Sequence, residues 1–99
     1  IVCALSGYGQ SGELAARAGH DLNFLARSGV LSLFSSDAVP GVQIADVFGG
    51  LYAATTIMAA LHDRSKPQFL DISLTETAGL LGAYGLTASP QDFLSHPHA

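Results

Sequence analysis

Apolar and polar positions alternate between two periods along the 99-residue chain, and each change of period marks an element. Ile1-Val2-Cys3-Ala4-Leu5 is a continuous apolar run with β-branched residues, which predicts a buried strand. The next seven residues, Ser6 to Gly12, hold glycine at positions 7, 9 and 12, the signature of a loop with positive φ or close backbone approach. Glu13 to Ala18 is compatible with a short helix. Leu22, Phe24 and Leu25 within Asp21–Arg27 predict a helical turn that ends near Gly29. Val30–Phe34 reads as a strand or extended segment, and Ser35–Gly41, rich in Ser, Asp, Pro and Gly, as a loop.

The longest predicted element is a helix from Val47 to Arg64. Leu51, Ala54, Met58 and Leu61 follow helical spacing, Asp46 suits its N-cap, and His62 and Arg64 suit its last turn. Lys66-Pro67 closes it. Gln68–Leu74 partly alternates and reads as a second strand. Ser73-x-x-Glu76 is a capping-box pattern that opens another helix, from Thr75 to about Thr87, which Ser89-Pro90 stops. Strand, loop, helix, strand, helix describes part of an α/β sheet.

Composition narrows the class. Hydrophobic residues make up 48% of the chain and charged residues only 12%, too little charge for a small soluble domain with every face exposed. Some faces are therefore expected to be covered by other segments or another subunit, and residues 1–99 are read as a single partial domain. The net charge of −4 argues against nucleic acid, because Arg17, Arg27, Arg64 and Lys66 form no basic block. The longest uncharged stretch, Val47 to Leu61, is 15 residues, short of the roughly 20 that span a bilayer. It reads as a buried helix, and no membrane association is expected. No signal peptide is visible, because the apolar start lacks a basic flank and a cleavage site. The single cysteine, Cys3, fits a reducing compartment and a core position. The expected location is the cytoplasm, or the peroxisome or mitochondrion in a eukaryote.

Two positions carry candidate chemistry. His20, between Gly19 and Asp21, offers the side chain best suited to move protons near neutral pH. Asp46 stands where a long apolar helix begins, a place that favours negative charge. Gly49 and Gly50 would leave nearby amides open to an anionic ligand oxygen. Taken alone, the first also fits a surface or core histidine and the second a simple helix cap. His20, His62, His96 and His98 lack zinc spacing with cysteine, so no metal is expected.

Four blocks add a resemblance. Leu5-Ser6-Gly7-Tyr8-Gly9-Gln10-Ser11-Gly12, Arg17 through Ala26, Ala45-Asp46-Val47-Phe48-Gly49-Gly50, and Gln68 through Leu74 resemble, in order, stretches of the α-methylacyl-CoA racemases of the class III CoA-transferase (CaiB/BaiF-like) family. The resemblance implies an α/β fold, a fragment of the Rossmann-like large domain of that family, from a parent that forms an interlocked homodimer. It implies racemisation of 2-methylacyl-CoA thioesters in fatty-acid metabolism, with acyl-CoA as substrate and no separate cofactor. His20 and Asp46 would exchange the α-proton on opposite faces. Gly19, His20, Asp21, Leu22, Asn23 and Phe24 would form the substrate and CoA contact region, and Gly49 and Gly50 would supply backbone contacts to the oxyanion.

The Gly-His-Asp block is the distinguishing one, since the wider family usually lacks histidine there. Two alternatives stand beside racemisation. One is an acyl-CoA:carboxylate CoA-transferase with Asp46 as nucleophile, and the other is a catalytically inactive fragment. The sequence departs from the racemase pattern in a shorter stretch between Leu33 and Asp46, in the Arg64–Gln68 turn, and in Phe24, where tyrosine is common. It also stops before the carboxylate that racemases pair with this histidine.

Overall fold

The computed structural model describes residues 1–34 and 40–83. In chain order these form β1 (Val2–Ser6), α1 (Asp21–Ser28), a 3-10 turn (Val30–Leu33), α2 (Ile44–Ala60), β2 (Phe69–Ser73) and α3 (Leu74–Leu81). Part of the expected loop after Phe34, the end of the last helix, and the tail with His96 and His98 lie outside the described residues.

β1 and β2 pair in parallel, in a register that runs from Val2 opposite Phe69 to Ser6 opposite Ser73. Parallel neighbours need a long crossover, and here it carries α1 and α2. This agrees with the α/β class expected from the sequence. The core gathers Phe24 and Leu25 of α1, Val30, Ala45 of α2 and Ala78 of α3, with Tyr8, Leu31, Ile44 and Leu74 packed on it. No helix among the described residues is long and apolar enough to cross a membrane.

Several elements form for the reasons the sequence suggests. Gly29 ends α1 in the left-handed region at φ 89°, which a side chain would make costly. Ser73 caps α3, its hydroxyl accepting the Glu76 amide at 3.1 Å.

Other expectations need correction. Glu13–Ala16 is a turn, with the Ala15 amide bonded to the Gly12 carbonyl, and not a helix. Val30–Leu33 winds into a 3-10 turn where a strand or extended segment was expected. Gly29 redirects the chain, Ser28 Oγ takes the Val30 amide at 3.2 Å, and Val30 drops into the core. α2 begins at Ile44, so Asp46 is its third residue, not its cap, and it ends at Ala60, ahead of His62 and Arg64. Beyond that end, Gln68 Nε2 donates to the Ala60 carbonyl at 3.0 Å and closes the helix.

The inward face of α2 is also different from the one its large residues suggest. Ala45, Gly49, Ala53 and Ala60 are buried, whereas Leu51 and Met58 are 63% and 67% exposed. Small side chains let α2 lie close to α3. A Cβ on Gly49 would collide with Leu74 Cδ2 and lie 3.3 Å from Thr77 Oγ1. The larger residues are left on the outer surface.

Candidate functional site

Two helix starts meet at the site. His20 occupies the N-cap position of α1 in extended backbone (φ −128°, ψ 177°), and its amide donates to Asn23 Oδ1 at 2.9 Å. That bond uses the Asn23 side-chain oxygen to hold the His20 main chain at the helix entry. The imidazole itself is exposed. It follows Gly19, whose missing side chain makes room for two rings: a Cβ there would lie 2.9 Å from Phe24 Cε1 and 3.0 Å from the Tyr8 hydroxyl.

Asp21 joins the helices. It is only 8% exposed, and its Oδ1 accepts the Asp46 amide at 2.9 Å. The carboxylate thereby supplies the cap that Gln43, at the N-cap position of α2, does not provide with its side chain. A negative group at this helix start is favourable as well. His20 and Asp46 are consequently held within one residue of a direct interhelical bond.

A cleft of about 380 Å³ opens beside this junction, lined by His20, Asp21 and Leu22 on one side and Pro40, Gly41, Val42 and Gln43 on the other. Asp46 is half-buried in the first turn of α2 and is not part of that lining. The expected contact region Gly19–Phe24 is thus divided. His20, Asp21 and Leu22 face the cleft. Asn23 lines a different hollow with Tyr8, Arg17 and Arg27. Phe24, 3% exposed, is a core residue, with its ring edge-on to Tyr8 at 5.2 Å between centroids.

The expected oxyanion contacts of Gly49 and Gly50 also change. Both lie in the second turn of α2, where amides are engaged in the helix ladder. Ahead of them the Asp46 amide is taken by Asp21, and the Val47 amide by the Gln43 carbonyl at 2.9 Å. Gly49 is a packing residue against Leu74, and Gly50 has open space beside it. The unspent donors near His20 are the amides of Asp21 and Leu22, which a helix leaves free in its first turn.

Sequence reasoning missed the set that holds the glycine loop. Both carboxylate oxygens of Asp71 accept the Gln10 amide, at 3.2 and 3.1 Å, and the Gly7 carbonyl accepts from Thr75 N at 3.0 Å and Thr75 Oγ1 at 2.8 Å. A charged residue inside an otherwise apolar strand was the available signal. Pro40 to Gln43, which complete the cleft, carried none. Among the described residues no group of three or more His, Cys, Asp or Glu side chains could hold a metal ion.

A parallel strand pair, a glycine loop and two helix starts joined through a buried carboxylate define an α/β segment. Comparison with known proteins agrees. Residues 1–95 match the family model for CoA-transferase family III, and the chain belongs to that family. It is similar to human alpha-methylacyl-CoA racemase, 40% identical over 92 residues that cover 85% of this chain and 24% of that protein. It is also similar to human succinyl-CoA:glutarate CoA-transferase, 40% identical over 81 residues that cover 75% of this chain and 18% of that protein. Among solved structures, a CAIB/BAIF family protein from Brucella suis superimposes with a TM-score of 0.79 and 28% identity, covering all of this chain and 27% of its own. The chain therefore spans 18 to 27% of the length of these relatives.

Proposed function

We propose that the protein containing this segment racemises 2-methylacyl-CoA thioesters, with His20 and Asp46 exchanging the α-proton from opposite faces. The observation that carries this reading is the exposed His20 imidazole at a cleft; Asp46 lies on the neighbouring helix, its amide bonded to Asp21, and its role on the opposite face is what the family resemblance implies. The human racemase and the human glutarate CoA-transferase are both 40% identical to this chain, so the racemase reading rests on His20, to which the family resemblance gives the role of base.

In one direction the neutral imidazole of His20 takes the α-proton, and the electron pair moves toward the thioester oxygen to form an enolate. The Asp46 carboxyl then gives a proton to the opposite face of the same carbon. The reverse direction exchanges the roles, as reversible acid–base catalysis requires. The developing oxyanion needs preorganised donors, each worth about 3–4 kcal/mol, and the amides of Asp21 and Leu22 beside His20 suit that task.

The second reading is acyl-CoA transfer. There the Asp46 carboxylate attacks the thioester carbonyl, the CoA thiolate leaves, and a mixed anhydride remains for an acceptor carboxylate. It is favoured by the 40% identity to the glutarate CoA-transferase.

Incubating the full-length protein with a single enantiomer of a 2-methylacyl-CoA in deuterium oxide separates the two. Deuterium at C2 with loss of enantiomeric excess, abolished by His20→Ala, is the expected result. An Asp46 acyl adduct trapped by hydroxylamine, with no deuterium at C2, overturns racemisation in favour of transfer.

A further inference from the structure

We infer that Asp71 is a positioning residue for His20, acting through the glycine loop between β1 and the turn that follows it. This rests on the catalytic role proposed for His20 and deepens it. Asp71 is exposed, on a strand whose neighbours Leu70 and Ile72 are more covered, and it forms no ion pair among the described residues. Its two oxygens converge on one donor, the Gln10 amide. That amide follows Gly9, which sits at φ 86° with both Asp71 oxygens 3.8 Å from where a Cβ would stand. The Asp71 carboxylate thus holds a backbone bend that only glycine adopts freely.

The bend is anchored at its other end from the same strand exit. The Gly7 carbonyl accepts from Thr75 N and Thr75 Oγ1, and from Ser73 Oγ at 3.4 Å. Between the two anchors lie the contacts that reach His20. A Cβ at Gly7 would come within 2.6 Å of Phe24 Cζ, so the loop backbone lies against that ring. Tyr8 meets Phe24 edge-on, and both rings crowd Gly19. His20 is the next residue. Its backbone entry into α1 is set by what Gly19 can do, and Gly19 is confined by rings that the loop holds.

The test uses Asp71→Ala and Asp71→Asn in the full-length protein, with C2 deuterium exchange and the NMR signal of the His20 imidazole as parallel readouts. Displacing a proton-transfer group by about an ångström costs on the order of 100-fold in rate. Asp71→Ala is expected to lower kcat by roughly 10- to 100-fold with KM changed by less than about threefold. It is also expected to shift or split the His20 signal. Asn keeps one acceptor oxygen for Gln10 and is expected to restore both readouts to near wild type, which a general loss of stability would not produce. An unshifted His20 signal with kcat within about twofold of wild type, or an Asn variant as impaired as Ala, overturns the inference. Where Asp71→Ala fails to fold, Thr75→Val removes the Oγ1 bond to Gly7 at constant shape. It must move the His20 signal in the same direction for the inference to stand. If the wild-type protein exchanges no C2 proton, the racemase reading falls, and the imidazole signal alone decides the positioning role.

Discussion

Asp21 Oδ1 accepts the backbone amide of Asp46 at 2.9 Å, so one carboxylate fixes the geometry between the two helices that carry the candidate acid and base. Asp21 is nearly buried, and its oxygen satisfies a helix donor that would otherwise lack an acceptor. Asp21→Ala is expected to destabilise the full-length protein by about 1–2 kcal/mol and to slow C2 exchange more than Asp21→Asn, which keeps an acceptor. Urea denaturation and exchange rates check this. Equal effects of Ala and Asn would remove the hydrogen bond from the explanation.

Three glycines that look alike in sequence are expected to respond differently to alanine. At Gly7 the new methyl meets the rigid Phe24 ring, and destabilisation of about 1–3 kcal/mol is expected. At Gly49 it meets the end of the Leu74 side chain, which can rotate away, so a smaller loss follows. At Gly50 nothing stands within 4 Å in a helix interior, and alanine is expected to be neutral or to add up to about 1 kcal/mol. The order of the three denaturation midpoints is the measurement.

Ser73 serves two partners, accepting from the Glu76 amide and donating to the Gly7 carbonyl. Ser73→Ala is expected to cost about 1–2 kcal/mol through the lost cap. It is also expected to speed hydrogen exchange at the first amides of α3. Unchanged protection at Glu76 would show that the cap contributes nothing.

One pH response follows from the turn after α2. Asp63 Oδ1 accepts from the Ser65 hydroxyl at 2.6 Å and the Ser65 amide at 3.0 Å, and these bonds hold its carboxyl below the usual value of 3.8. A lowered folded value means the turn is favoured wherever the carboxylate is charged, and that preference disappears as pH falls through the lowered value. The Ser65 amide resonance is expected to titrate with a midpoint below 3.8. A midpoint at or above it would show that the bonds do not persist in solution.

How far the sequence reaches depends on the range of the interaction. The presence of both strands, the stop at Gly29 and the Ser73 cap were legible because each depends on residues a few positions apart; the burial expected of the first strand was not, since Val2 and Leu5 are 59% and 47% exposed. The start of α2 was misplaced because its capping acceptor, Asp21, lies 25 residues away. Similarly, Asp71 and Gln10 are 61 residues apart, and nothing local marks them as partners. The inward face of α2 was misjudged for a different reason. Hydropathy weights Leu51 and Met58 above Ala45, Gly49 and Ala53, whereas close helix packing rewards the small residues. His20 and Asp46 were identifiable as residue types, but what joins them became visible only in three dimensions.

The parallel pairing of Ala4 with Asp71 and Ser6 with Ser73 has a consequence for how the protein matures. A slip of one residue would reverse which side chains of the second strand lie on each side of the sheet, offering Leu70 or Ile72 to the loop in place of the carboxylate. A misaligned chain would leave the bend around Gly9 without its tether, so the alignment of two strands more than sixty residues apart also sets the shape of the loop between the first strand and the turn after it.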